Sequence, residues 1–503
     1  MKHTEFFAIC LLATFTGLSL GGTVDVDPVE VERMFPLPQD DWLNLELMGT
    51  KAGYAHIYMD NAVYEGKDVI RTRIDMVIEV KRGDWDLRFE STRISYIGMD
   101  LVPRRFTMTS NETGTEKRIE GRVKEGVAYI ETTLAGKTTQ SEKPIPPDAI
   151  FEQTIPYLLL KEGMSVGDEH QLRIFNLDLL QSVNTGVKVV REDKIHFEGN
   201  SIPVYEVEYT MDIMGGITTV AWISSEGRTY RTEIPLMGFP LVLTKTDMQT
   251  ALGEAGQVDV ILNTKIYPQG KQPTPNSSRL KAALRLGGGN LKEAVKIDRR
   301  QNLISAVDSP NSGILEINVP PVDLSNTPSL PLSLDESQIE LAQFLKSSVY
   351  IQADHPEIHA EAVEVLDGET NSWRAATKLC RWVYENVSDK NLQTGFGSSI
   401  QTLKTLEGDC TEHTVLFIAL ARSVGIPARI CAGIVFQRDA FYYHFWPEVY
   451  AGEWIAMEPT LGQLQADANH IQLAGSTLES DSMLEYGEGV LRTLNQLEIE
   501  VIE

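Results

Sequence analysis

The chain has 503 residues, with 71 acidic against 45 basic side chains and a formal net charge of −26. A surface that acidic repels phosphate backbones, so no nucleic-acid partner is expected. At 42% hydrophobic and 23% charged the composition is that of a globular protein, and the length suggests about three domains.

Residues 1–23 read as an export signal. Lys2 gives a short basic end, Phe6 to Phe15 an apolar core, and Leu18 to Thr23 a small, Gly-rich exit. The acidic run Val24-Asp25-Val26-Asp27 follows abruptly. The expected compartment is the periplasm, the extracellular space or the cell surface. Cys10 lies inside the apolar core, without the small residue expected before a lipidated Cys. No later apolar run approaches the ~20 residues needed to span a bilayer, so no transmembrane segment is expected in the mature chain. Cys380, Cys410 and Cys431 remain after signal removal. Three thiols are no disulfide scaffold, although a Cys380–Cys431 bridge is one option, and no Cys-x-x-Cys pair suggests zinc.

Residues 24–255 read as a β-rich domain. Strand-like runs fall at Ala55 to Met59, Val69 to Val80, Trp85 to Tyr96, Val127 to Thr133, Val204 to Met211 and Ile217 to Ile223. Gly, Asn and Asp clusters separate them. Their alternation suits antiparallel sheet with one wet face, and Ile155 to Leu160 reads as one short helix. Trp42 to Gly53, Gly98-Met99-Asp100-Leu101 and Trp222-Ile223 with Gly227 are similar in pattern to the curved half-barrels of exported lipoprotein-type domains. That resemblance implies either binding of an apolar or extended ligand or a spacing and docking role.

Residues 256–334 read as a small β module with Pro- and Gly-rich linkers at 268–278 and 320–331. Its runs are Leu280 to Leu286, Leu303 to Val307 and Gly313 to Val319, with Gly287-Gly288-Gly289 as a hairpin turn. Few contacts are expected to cross such linkers. From about 335 the pattern turns helical: Glu336 to Phe344, Asp354 to Val365, and Trp373 to Val387 behind a Thr370 cap. Cys380 falls on the apolar face of the last of these. Leu491 to Ile502 reads as a final strand.

The chemistry concentrates between Gly408 and Thr460. Gly408-Asp409-Cys410 runs into an apolar helix, Thr411 to Ser423, so Cys410 stands at a helix start. Unpaired N–H groups and the helix dipole there favour an anion, and such thiols fall from pKa ~8.5 to about 3.5–7.5. His444 heads a strand-like run and Glu458 ends the next, Trp454 to Glu458, after a turn at Ala451-Gly452. In an antiparallel hairpin the two side chains would meet near its open end. A Cys, a His and a carboxylate so placed follow the nucleophile–base–orienter logic. Asp467 and Glu448 are alternative acids. Gln393 and Gln401 are candidate oxyanion donors alongside the Cys410 amide. Cys410-x-x-His413 offers too few ligands for a closed metal site. Arg429 reads as an ion-pairing or packing residue.

This stretch resembles the transglutaminase-like superfamily, whose Cys–His–acid chemistry is shared with papain-like proteases. The matching residues are Gly408-Asp409-Cys410, Leu416 to Arg429 ending in Gly-Ile-Pro-Ala-Arg, His444 with Trp446 and Glu448, and Trp454 with Pro459-Thr460. The family's usual Asp before Pro-Thr is Glu458 here. The resemblance implies a multidomain architecture: all-β N-terminal modules followed by an α+β, papain-like catalytic domain at 335–503. It implies a protein or peptide substrate, a Cys410 thioester, and neither metal nor organic cofactor. Acyl transfer to an amine, and peptidase or amidase hydrolysis, are both open. So is a non-catalytic peptide- or envelope-binding role that keeps the fold.

Overall fold

The computed structural model describes residues 37–503 except 83–84, 113–114, 163, 214–215, 237–238, 260–263, 307–308, 333–335, 389–396, 474–489 and 491. The export signal expected at 1–23 and the candidate Gln393 lie outside the described residues.

The first half of the chain forms one fifteen-stranded, almost wholly antiparallel sheet. From β1 (Gln39–Leu47) strands add outward in chain order to β8 (Lys137–Pro144). On the other side of β1 lies β15 (Phe239–Thr246), and strands add back from it to the two-residue β9 (Ala149–Ile150). The two wings are joined at the middle by β1–β15 pairing, with Leu45 opposite Leu243. Alternate side chains point to one face, as in β7 (Val127–Leu134), whose buried and wetter residues alternate. The expected strand runs all fall inside strands, and Ile155 to Leu160 falls inside α1 (Ile155–Glu162).

The segment carrying α1 links the far ends of the two wings, and it packs between them. Tyr157 and Leu158 join Ile70, Ile97 and Phe106 on one side. Ile155 and Leu159 join Val187, Val207 and Ala221 on the other.

A five-stranded sheet follows, in the order β16 (Gln269–Gly270), β24 (Leu497–Val501), β17 (Arg279–Leu286), β19 (Ser309–Asn318), β18 (Gln301–Ala306). Two expectations are corrected here. Gly287 to Gly289 is no hairpin turn, because β17 pairs with β19 and β24 rather than with β18. The Pro-rich linkers are crossed by many contacts, because the final strand β24 inserts into this sheet between β16 and β17.

The last third is helices over a four-stranded sheet. The helices are α2 (Pro356–Leu366), α3 (Ser372–Asn386), α4 (Ser399–Thr405) and α5 (Cys410–Ser423). Asn371, rather than Thr370, caps α3. The sheet order is β22 (Trp454–Ala456), β21 (Ala440–Tyr450), β20 (Ala428–Gln437), β23 (His470–Gln472). One continuous apolar core joins the three parts: Leu43 and Leu45 of β1, Leu280 and Leu284 of β17, and Phe417, Phe441 and Ile471 of the last third.

Candidate active site

Helix α5 is buried along nearly its whole length, from Cys410 through Arg422. Its start is set by a capping box. Asp409 takes the Thr411 N–H at 3.0 Å, while Glu412 accepts the Asp409 N–H at 3.0 Å and the Gly397 N–H at 2.8 Å. Burial, and then the charge of Asp409, push the Glu412 carboxyl well above the usual carboxylate range. Gly408 is held at φ +136°, where a Cβ would strike the Glu412 side chain. Cys410 is thereby fixed as the first helical residue, buried at the helix N-terminus.

Strand β21 carries His444 under that helix. Thr414 lies one turn beyond Cys410 and donates its hydroxyl to the Phe445 carbonyl at 3.2 Å. Cys410 and His444 therefore belong to the same helix–sheet seam. Opposite β21, Glu448 pairs with Ala456, and the Met457 N–H reaches the Pro447 carbonyl at 2.8 Å. Continued, that register puts residue 458 opposite 446, on the face of His444 and one diagonal step away.

The carboxylate bridges that step. His444 Nε2 meets Glu458 Oε2 at 2.5 Å, and both side chains are fully buried. Glu458 Oε1 accepts the Thr460 and Leu461 N–H groups at 2.8 and 3.1 Å. Burial raises the Glu458 carboxyl. The charge of His444 and the hydrogen bonds from His444 and His470 outweigh that and hold it well below the usual range.

His470 is a residue that sequence reasoning missed. It lies on β23, and its Nε2 reaches Glu458 Oε2 at 3.1 Å while its Nδ1 reaches Asp467 Oδ1 at 2.9 Å. Ionised carboxylates only accept, so a ring between two of them must donate from both nitrogens and is an imidazolium. Burial alone would lower its pKa, but the bonds to Asp467 and Glu458 raise it. The Asp467-x-x-His470 spacing just ahead of β23 points to Asp467 as a partner but gives no sign of Glu458.

The other candidates are placed as follows. Asp467 faces His470 rather than His444, and also accepts the Asn276 N–H at 2.9 Å. Glu448 is paired with Arg429 at 2.7 Å, and that guanidinium lies 4.1 Å from the Trp454 ring centre. The Gln401 side-chain oxygen accepts the Ser398 N–H at 3.0 Å, in the capping box of its own helix α4. His413 Nδ1–H donates to the Asp409 carbonyl at 2.6 Å. Cys380 and Cys431 are buried free thiols, so the optional bridge is not formed. Burial, first of all, pushes Cys380 up to about 12 and Cys431 well above its ordinary value.

His444, Glu458 and His470 together offer metal-ligand atoms within 4.8 Å of one another. Tetrahedral zinc, with ligands at about 2.0–2.2 Å, would hold them about 3.3 Å apart. The 2.5 Å between Nε2 and Oε2 is instead a hydrogen-bond length.

Residues 360–459 match the profile of the Transglutaminase-like superfamily, and residues 42–253 match a family described as a protein of unknown function, DUF3108. An uncharacterized protein of Haemophilus influenzae is 30% identical over 126 residues, 24% of this chain and 31% of the relative's length. The chain thus spans about a third of the curated relative it matches. Among solved structures, a candidate cysteine protease from Cytophaga hutchinsonii is 17% identical at TM-score 0.31, covering 42% of this chain and 78% of its own. A β-barrel-like DUF1849 protein from Brucella abortus is 12% identical at TM-score 0.33, covering 42% and 96%.

Proposed function

We propose that this chain, whose residues 360–459 are a domain of the transglutaminase-like superfamily, is an exported cysteine enzyme acting on protein or peptide amide groups. The observation that carries the reading is the buried Glu458 carboxylate on His444 Nε2, in the same seam as a helix-start cysteine.

The charges support an ion pair at the thiol. Asp467, Glu458 and the His470 imidazolium sum to one negative charge in a buried cluster. A proton moving from Cys410 to His444 brings that cluster to neutrality and leaves a thiolate at a helix N-terminus. The sulfur then attacks the carboxamide or peptide carbonyl carbon, a C–S bond forms, and the oxygen takes up the electron pair. The Cys410 N–H at the helix start is the proposed oxyanion donor. Glu458 fixes Nε2, so the His444 proton is passed from Nδ1 to the leaving ammonia or amine as the C–N bond breaks. The resulting thioester is opened by an amine or by water, with His444 now acting as base.

Mass spectrometry after incubation with glutamine-containing peptides, with and without a primary amine, tests this. Loss of ammonia with gain of the amine is transfer; chain cleavage is peptidase action. Either product is expected to vanish in Cys410→Ala. No conversion of peptides by the wild-type protein, or an unchanged Cys410→Ala, would overturn the assignment.

A further inference from the structure

One side of the fifteen-stranded sheet contains a partly open cleft, between the two wings and the segment that carries α1. Most of its wall is apolar, from Leu43, Met59, Ile74, Ile155 and Ala221. Set into it is Glu152, 7% exposed, on the turn that leads into α1.

Glu152 has no hydrogen bond or ion pair among the described residues. The cation whose charge reaches it, Arg93, is committed in bidentate fashion to Asp178. Asp41, the other carboxylate on the wall, is paired with Lys245. Gln153 Oε1, also at the cleft, is a buried acceptor without a partner among the described residues. The Tyr209 hydroxyl stands in the field of Glu152 and adds a third polar atom. Burying a polar group without a partner is costly, more so when it is charged, and sheets that only space two domains do not need one.

We infer that this cleft is a binding site for a small aliphatic molecule carrying one protonated amine, with the ammonium on Glu152 and Gln153 and the chain against the apolar wall. An ammonium has three donors and no acceptor, which complements two unpartnered acceptors. Of the simple head groups, only a cation offsets the cost of ionising Glu152 there: a carboxylate ligand adds like charge and an alcohol adds no compensating charge. Burial, first of all, raises the Glu152 carboxyl well above the usual carboxylate range, and an ammonium seated on it would offset that. This site is separate from the Cys410 site and does not rest on the reading given for it.

Calorimetric titration with octylamine, octanol and octanoate at pH 7 and physiological salt tests the inference. Salt screens the exposed acidic surface, so non-specific amine binding is weak. Octylamine is expected to bind at one per chain, at least tenfold more tightly than octanol, with octanoate undetectable. Glu152→Gln is expected to weaken octylamine at least tenfold while the melting temperature stays at or above that of wild type. Equal affinity for octanol, unaltered octylamine binding in a folded Glu152→Gln, or no saturable octylamine binding would each overturn it.

Discussion

Glu458 is the residue at which this chain departs from the family's usual acid, and the geometry explains why a glutamate works. The continued register sets position 458 a diagonal step from His444, and the extra methylene covers that distance. Cys410 and Glu458 could be picked out in the sequence because each sits at the end of an apolar run, and His444 because of the Trp446 segment that follows it, although it lies inside β21 rather than at its head. His470 could not, because its link to Glu458 exists only once β23 pairs with β20, Val435 opposite His470. The assignment predicts that Glu458→Gln lowers kcat/KM by about 10²–10⁴, somewhat less than removing the carboxylate of a serine-protease triad. Asp467→Asn, acting through His470, should cost no more than about tenfold. A dead Asp467→Asn with an active Glu458→Gln would reverse the roles. His470→Gln removes a positive charge beside Glu458, so the His444 imidazolium is better stabilised and the alkaline limb of the kcat/KM profile should move to higher pH. A merely structural role would leave that limb in place. Stability should respond with a definite sign. His470 is raised above 6.5, so its contribution is full below that pH and is lost as pH rises through the folded value. Glu458 is depressed below 4.5, so its contribution is full above that pH and is lost in acid. Thermal melts of His470→Gln should therefore lack part of the wild-type loss of Tm above pH 6.5.

At the scale of elements, the site depends on how closely β20 lies against its neighbours. Gly433 of β20 pairs with His444 on one side and Gln472 on the other. A Cβ there would lie 2.2 Å from the Ile471 carbonyl oxygen and 2.4 Å from the Trp446 ring. Trp446 is fully buried and stacks edge-on against His470, with ring centres 5.2 Å apart. Gly433→Ala should thus push β23 away from β20 and carry His470 off Glu458. Overpacking of this kind costs about 1–3 kcal/mol. A drop in Tm together with the pH-profile change seen in His470→Gln is expected; a normal profile would show that His470 does not act through the strand. The helix and strand identities here were readable from periodicity. The close approach at Gly433 was not, since a glycine inside a strand run does not say which neighbour it admits.

At the scale of the whole molecule, the strands of the first half could be read from alternation, but not their order. Pairing of β1 with β15 joins residues about 200 positions apart, and no local pattern records it. The same limit affected the last third. Pro-rich stretches suggested that 335–503 could stand alone, yet its parts are held from outside. Asn276 donates to Asp467, Arg300 donates to the Asp467 and His470 carbonyls at 3.2 and 2.6 Å, and Gln301 exchanges hydrogen bonds with Gln472. The Ile266 and Phe441 backbones pair as well. In a 335–503 fragment, β24 would have neither β16 nor β17 beside it, leaving an apolar strand edge unpaired. The loop that carries Asp467 and His470 would lose the guanidinium and amide groups that fix its carbonyls. Expressed alone, 335–503 should show no cooperative thermal transition and no turnover. A 256–503 fragment restores all of these partners and should melt cooperatively, at a lower Tm than the full chain because the core shared with Leu43 and Leu45 is opened. Circular dichroism melts and peptide turnover on the two fragments check this. A 335–503 fragment with full activity would show that the β modules serve only to position the enzyme, whereas turnover regained at 256–503 makes the middle sheet part of the catalytic unit.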